Sequence, residues 1–192
     1  MQKRIRVNVP IYICALLMAL TALCSLPIFL PPAQAEGQFE EYQVKSAFLY
    51  NFVKFVEWPS ETFRDSDSPV KICVLGKDPF GESLDYLRDK NVGSRKLVIE
   101  RLKRGDAPDK CQVLFISDSE KNNAAEILRG VRKRPVLTVG DMKGFLQSGG
   151  IINFISKGNQ VSFEINLDAA ERSKLRVSSQ LLQVAIIFRE KH

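Results

Sequence analysis

Few residues in this 192-residue chain are of a type and spacing that could do chemistry. Its only histidine is His192, the last residue. That excludes Ser-His-Asp and Cys-His nucleophile systems of the usual kind. It also removes the commonest zinc ligand, and two separated cysteines, Cys73 and Cys111, make no zinc site. No G-x-G-x-x-G and no Walker lysine motif is present, so a nucleotide cofactor has no phosphate loop. Asp118, Asp141 and Glu164 are carboxylates of the kind used for general acid or base work. None has a partner at a telling spacing. Asp118 and Asp141 read as helix caps, and Glu164 reads as a strand-face residue or a contact residue. Gly76-Lys77-Asp78 follows an apolar run and can hold an anion at a helix start. The chemistry predicted is therefore binding, with no catalytic residue, no metal and no cofactor.

The elements that must position these residues follow from periodicity. Residues 44–59 (VKSAFLYNFVKFVEWP) carry an apolar stripe of Val44, Phe48, Phe52 and Phe55, widened by Leu49, Val53 and Val56. This predicts a largely buried helix with Lys45, Asn51, Lys54 and Glu57 on its wet side, ended by Trp58-Pro59. β-Branched runs at 70–76, 96–102, 112–117 and 135–139 read as strands. Helical stretches follow Asp78-Pro79, with Leu84 and Leu87 inward, and span 120–129 after Ser117, Asp118 and Ser119. Gly140-Asp141 should open a short helix carrying Met142, Phe145 and Leu146. Alternating strands and helices imply a doubly wound, mainly parallel α/β sheet of flavodoxin-like kind, in strand order 2-1-3-4. From residue 149 the pattern changes to a hairpin, 149–155 and 160–166, with a Gly-Asn turn. Asn166 or Asp168 caps a short helix. A last helix should start at Ser178-Ser179 and carry Leu181, Leu182, Val184, Ala185, Ile187 and Phe188.

The first 35 residues read as a secretory signal. Lys3, Arg4 and Arg6 precede an apolar stretch from Ile11 to Leu30, and Ala33-Gln34-Ala35 is an A-x-A cleavage signature. The mature chain should begin at Glu36 and form one domain, 36–192, in the periplasm. A retained membrane anchor is the alternative, disfavoured by the prolines and the cleavage site. Loss of the three leader charges leaves 25 basic against 22 acidic residues, a net charge of +3 instead of +6. This does not point to nucleic acid. Two cysteines in an oxidising compartment invite a disulfide. Buried thiols are the alternative, and the expected strand order brings the two onto neighbouring strands.

The stretches AFLYNFVKFVEWP, KICVLG, CQVLFIS, PVLTVGD, GGIINFI and VSFEINLDAAERSKLRVSSQLLQVA together resemble the YfiR family, also called DUF4154. The likeness runs from about Tyr42 to Ile187. It implies an exported α/β protein that forms dimers, is not an enzyme, and represses a membrane-anchored diguanylate cyclase. Binding would be to the cyclase's periplasmic domain, with cyclic-di-GMP output and biofilm formation following. The closing hairpin signature places Ile152, Phe154, Phe163 and Glu164 as candidate partner contacts, with sheet core as the alternative for the two phenylalanines. Leu181, Leu182 and Ile186 would serve the partner or a homodimer. The redox-responsive members carry a second cysteine pair, in the region matching about 142–153, where this chain has none. Two other readings stand beside this one. One is a small-ligand module using the sheet edge near Gly76, Ser117 and Gly140. The other is a regulator of a different membrane sensor, such as a histidine kinase.

Overall fold

A computed structural model describes residues 33–158 and 160–190. The signal-peptide expectation falls mostly on residues 1–32, outside the described residues. Contacts divide the chain into units 1–33 and 34–192, and the second holds all the elements below except the first residue of the first helix.

Helix α1 (Ala33–Phe55) buries Leu49, Phe52 and Val53, as its apolar stripe requires. Val44, at the end of that stripe, is exposed. The helix stops before Trp58-Pro59, because Val56 and Glu57 form β1 (Val56–Glu57), which pairs antiparallel with β9 (Arg176–Val177). The main sheet has eight strands. Five run parallel in the order β4 (Arg95–Leu102), β2 (Val70–Leu75), β5 (Val113–Ile116), β6 (Leu137–Gly140), β7 (Ile152–Lys157). The first four reproduce the order expected from sequence. β8 (Gln160–Asn166) returns antiparallel beside β7, with Lys157 opposite Gln160 across a two-residue connection. β3 (Asn91–Val92) flanks β4, and β10 (Ile186–Phe188) flanks β8.

β5 and β6 are buried at every residue, as central parallel strands covered on both faces must be. One face packs Ile72, Val74, Phe115, Val139, Phe154 and Phe163 beneath α1. The other packs Leu75, Leu114 and Ile116 beneath α3 (Ala124–Val131) and the segment carrying Met142, Phe145 and Leu146. The helix between β2 and β4 is a single turn, α2 (Glu82–Asp85), with Leu84 buried. Cys73 and Cys111 are joined, with Cα atoms 5.9 Å apart. The bridge ties β2 to the entrance of β5 across a separation of 38 residues. A closed loop of that length contributes about 2–4 kcal/mol.

Two expected helices are corrected. The segment after Gly140 is a run of turns. Gly144 and Gly149 have φ of +77° and +96°, which breaks a helix. The Phe145 ring fills the space where a Cβ on Gly140 or Gly150 would sit, 2.7 and 2.3 Å away. The last helix is only α5 (Ser179–Leu182), capped by Ser178 Oγ, which accepts from Leu181 N at 3.3 Å. Beyond it the chain extends into β10, parallel to β8, with Ile186 beside Glu164. The edge of β8 offers unpaired backbone groups, and the β-branched Ile186 and Ile187 suit a strand better than a helix.

A polar latch holds β10 in place. Asn166 caps α4 (Leu167–Arg172) by accepting from Ala169 N at 2.9 Å, and its amide donates to Glu190 at 2.9 Å. Arg172 donates to both Glu190 oxygens. These bonds, Arg172 first, lower the Glu190 pKa from 4.5 to about 2. A carboxyl depressed on folding adds stability that is present above its ordinary pKa and lost as pH falls through the folded value. The stability advantage of the protein over Glu190→Gln should therefore shrink between pH 4.5 and about 2. Urea midpoints across that range check this, and a constant difference would show that the latch is not proton-linked.

Candidate functional site

The connection from β2 leads to β4 on one side, and the connection from β5 leads to β6 on the other. Their carboxyl ends therefore diverge and leave a crevice, where open α/β sheets take ligands. Gly76, Lys77 and Asp78 leave β2 there, and Ser117, Asp118 and Ser119 leave β5. Gly76 has φ +94°, and a Cβ on it would lie 2.5 Å from Ser119 Oγ, so only glycine fits. Ser119 Oγ accepts from Lys77 N at 2.9 Å, which fastens the two exits together, and Ser117 Oγ accepts from Ser119 N at 3.4 Å within the second.

The Gly76-Lys77-Asp78 stretch, where the sequence allows an anion site but reads first as a plain turn, forms a turn held by its own side chains. Asp78 Oδ1 accepts from Phe80 N at 2.8 Å, and Oδ2 accepts from Arg101 Nε at 2.6 Å. Arg101 also reaches Asp85. Arg101, beside this turn, is thus already paired with carboxylates, and α2 begins four residues later.

The N-terminal half of α1 roofs the crevice. Gln38, Tyr42, Lys77 and Asp118 line a cleft of about 650 Å³. Past Tyr42 lies a second cavity of about 330 Å³, lined by Glu41, Lys45, Asp118, Asp141, Phe154 and Ser156. Asp141 follows β6 directly, and no helix begins there, so it is not the cap expected from sequence. Instead it anchors α1. Tyr42 Oη donates to Asp141 Oδ2 at 2.6 Å, and Lys45 Nζ donates to the same oxygen at 3.0 Å. Lys45 also pairs with Glu41 Oε1 at 2.5 Å, and Ser156 Oγ donates to that oxygen at 2.6 Å. The ammonium lies 4.4 Å from the centre of the Tyr42 ring, a favourable cation–π contact.

Lys45 is only 2% exposed, so its assignment to the wet side of the helix is corrected. Burial, reinforced by the hydrogen bond to Asp141, pushes the Tyr42 hydroxyl far above its ordinary pKa and keeps it a donor. Burial works against ionising Glu41. Hydrogen bonds from Lys45 and Ser156 outweigh it and hold that carboxyl below its usual range. Asp141 Oδ1 is buried and has no hydrogen-bond partner. The arrangement is suited to holding a charged or hydrogen-bonding group. Among the described residues, no cluster of three or more metal-ligating side chains occurs. The Glu41–Lys45 spacing of four is visible in the sequence as a helix ion pair. Its third member, Asp141, is 96 residues from Lys45 and carries no local signal.

The residues expected to contact a partner separate into two groups. Phe154 and Phe163 are paired directly across the hairpin, and they pack with Phe48 and Phe52 of α1. Ile152, Phe154, Phe163 and Leu181 are all core residues. Glu164 and Leu182 are half-buried, and Ile186 is 51% exposed. Sequence reasoning placed Val184 and Ile187 within a last helix; they are 67% and 40% exposed, Val184 in the turn that precedes β10 and Ile187 next to Ile186 within it.

A family model described as YfiR/HmsC-like matches residues 42–186. The chain is also similar to the crystal structure of a conserved domain protein from Vibrio cholerae O1 biovar El Tor. That match has a TM-score of 0.51 and 12% identity, over 78% of this chain and 60% of the other. The chain thus spans about 60% of that protein's length, and the likeness is one of α/β fold.

Proposed function

Because the chain belongs to the YfiR/HmsC-like family, we propose that it is an exported, non-catalytic regulator that binds the periplasmic domain of a membrane-anchored diguanylate cyclase and lowers cyclic-di-GMP synthesis. The family match over residues 42–186 carries this reading. The proposal includes cleavage after Ala35, residence in the periplasm and a homodimer. Among the described residues no helix is long and apolar enough to cross a membrane. A repressor of this kind works by binding the inactive state of its partner more tightly than the active one.

The contact surface proposed is the open edge of β10 and what flanks it: Glu164, Leu182, Val184, Ile186 and Ile187. Among the described residues β10 pairs on one side only, and a free apolar edge invites strand addition. Ile186 and Ile187 are already exposed, so changing both to Asp should leave the melting temperature near that of the parent. It should weaken partner capture by about tenfold or more, the scale of losing buried interface side chains. The test is a pull-down from detergent-solubilised membranes, with cyclic-di-GMP measured in a deletion strain. Capture of a diguanylate cyclase and raised cyclic-di-GMP support the reading. A different captured sensor, such as a histidine kinase, with unchanged cyclic-di-GMP moves the pathway. No partner and no change sink it.

A further inference from the structure

Residues 183–190 are fastened firmly at their two ends and lightly in between. Just before them Leu181 is buried, and Ser178 N donates to Phe55 O of α1 at 2.9 Å. In the middle, β10 meets β8 over three residues of parallel ladder, the slightly weaker kind of pairing. Val184, Ile186 and Ile187 are exposed. Of the large side chains here, only Phe188 packs on the core, half-buried against the cluster that includes Met142, Phe145 and Leu146. At the far end sits the Glu190 latch. Among the described residues, every side-chain bond that holds this stretch is made at Arg189 or Glu190, beyond the last residue of β10.

We propose that residues 183–190 are a strap that leaves β8 and returns while the rest of the sheet stays folded, with the Glu190 latch setting the balance. Three features allow this. Opening uncovers little apolar surface, so it costs far less than unfolding the sheet. The turn before β10 has exposed Gln183 and Val184 and can act as the hinge. No buried side-chain polar group is stranded. Asn166 is completely buried and gives up Glu190, but its oxygen keeps Ala169 N and its amide keeps Leu146 O at 3.3 Å. Arg172 and Glu190, 29% and 28% exposed, exchange each other for water. The latch is thus a clasp that water can replace. Opening also removes Ile186 and Ile187 from the sheet edge. On the regulatory reading above, on which this consequence alone rests, a partner binds only the latched fraction of the molecules.

Hydrogen exchange of the protein alone, read by mass spectrometry, tests the strap. Amides of residues 186–188 should exchange about a hundredfold or more faster than those of β5 and β6. Their rate should not change with urea below the unfolding transition, because a local opening exposes little surface. Glu190→Gln should speed exchange of the strap by about tenfold, as loss of a charged hydrogen bond does. Arg172→Gln, which cuts the same pair from the other side, should act in the same direction. Circular dichroism confirms that both variants are folded. Two results would overturn the proposal. One is strap exchange with the rate and urea dependence of β5 and β6, which would mean that β10 opens only when the whole protein unfolds. The other is strap exchange unchanged in either variant, which would mean that the strand frays without a latch. Neither measurement involves a partner, so the strap and the regulatory reading fail separately.

Discussion

Lys45→Met should destabilise the protein by about 3–5 kcal/mol, because removing one member of a buried ion pair strands the charge of the other. Methionine replaces the length and apolar stem of the lysine, so little packing is lost. What is lost is, among the described residues, the only cation paired with Asp141, itself 7% exposed, and a partner of Glu41. The sign of the pH dependence separates this from a packing defect. A carboxylate stranded in a buried site binds protons more readily folded than unfolded, so the deficit of the variant should shrink as the pH is lowered. Adding Asp141→Asn to Lys45→Met should recover part of the loss, since the second change removes the stranded charge. Urea unfolding of the parent and the two variants at neutral and acid pH measures all of this. A deficit under 1 kcal/mol that does not change with pH would mean that the network is solvated and holds nothing.

The same residue shows where the sequence stops being informative. Lys45 lies one helical turn before the buried Leu49, on the same face, and it is its charge alone that reads as solvent. Only the strand order brings Asp141 under it, and charge patterning within the helix cannot report a partner 96 residues away. The strand order itself was readable, because VKICVLG, QVLFIS and PVLTV are short β-branched runs with no wet face, as strands covered on both sides must be. That order puts Cys73 and Cys111 on neighbouring strands without deciding between a bridge and buried thiols, and the structure joins them. Residues 179–188 were not readable for the opposite reason. A stretch apolar on every side has no period, so LLQVAIIF fits a buried helix or a strand equally well. The open edge of β8, which is a property of the whole sheet, decides between them. Phe154 and Phe163 carry the family signature, yet they lie in the core. They alternate with polar neighbours on the hairpin face that α1 covers, and alternation alone does not say whether a cover exists.

Phe52→Ala should cost about 3–5 kcal/mol, the range for deleting a fully buried aromatic ring. Phe52 is completely buried, stacked 5.7 Å from Phe154 and edge-on to Phe163 at 5.0 Å. The equivalent change at Phe48, half-buried one turn earlier, should be smaller, because solvent can fill part of the gap. Chemical denaturation of both variants ranks them, and equal losses would mean that α1 packs less closely than the ring geometry implies. Phe52 and Lys45 are seven residues apart, about 10 Å along the helix, so their effects would add if the two clamps on α1 were independent. They share a neighbour, however: the Lys45 ammonium lies 5.7 Å from the centre of the Phe154 ring, the ring on which Phe52 stacks. A cycle combining Lys45→Met with the milder Phe52→Leu, which keeps the double variant folded, should show a coupling above about 0.5 kcal/mol. Strict additivity would instead mean that the roof of the crevice and the anchor of the helix are held separately.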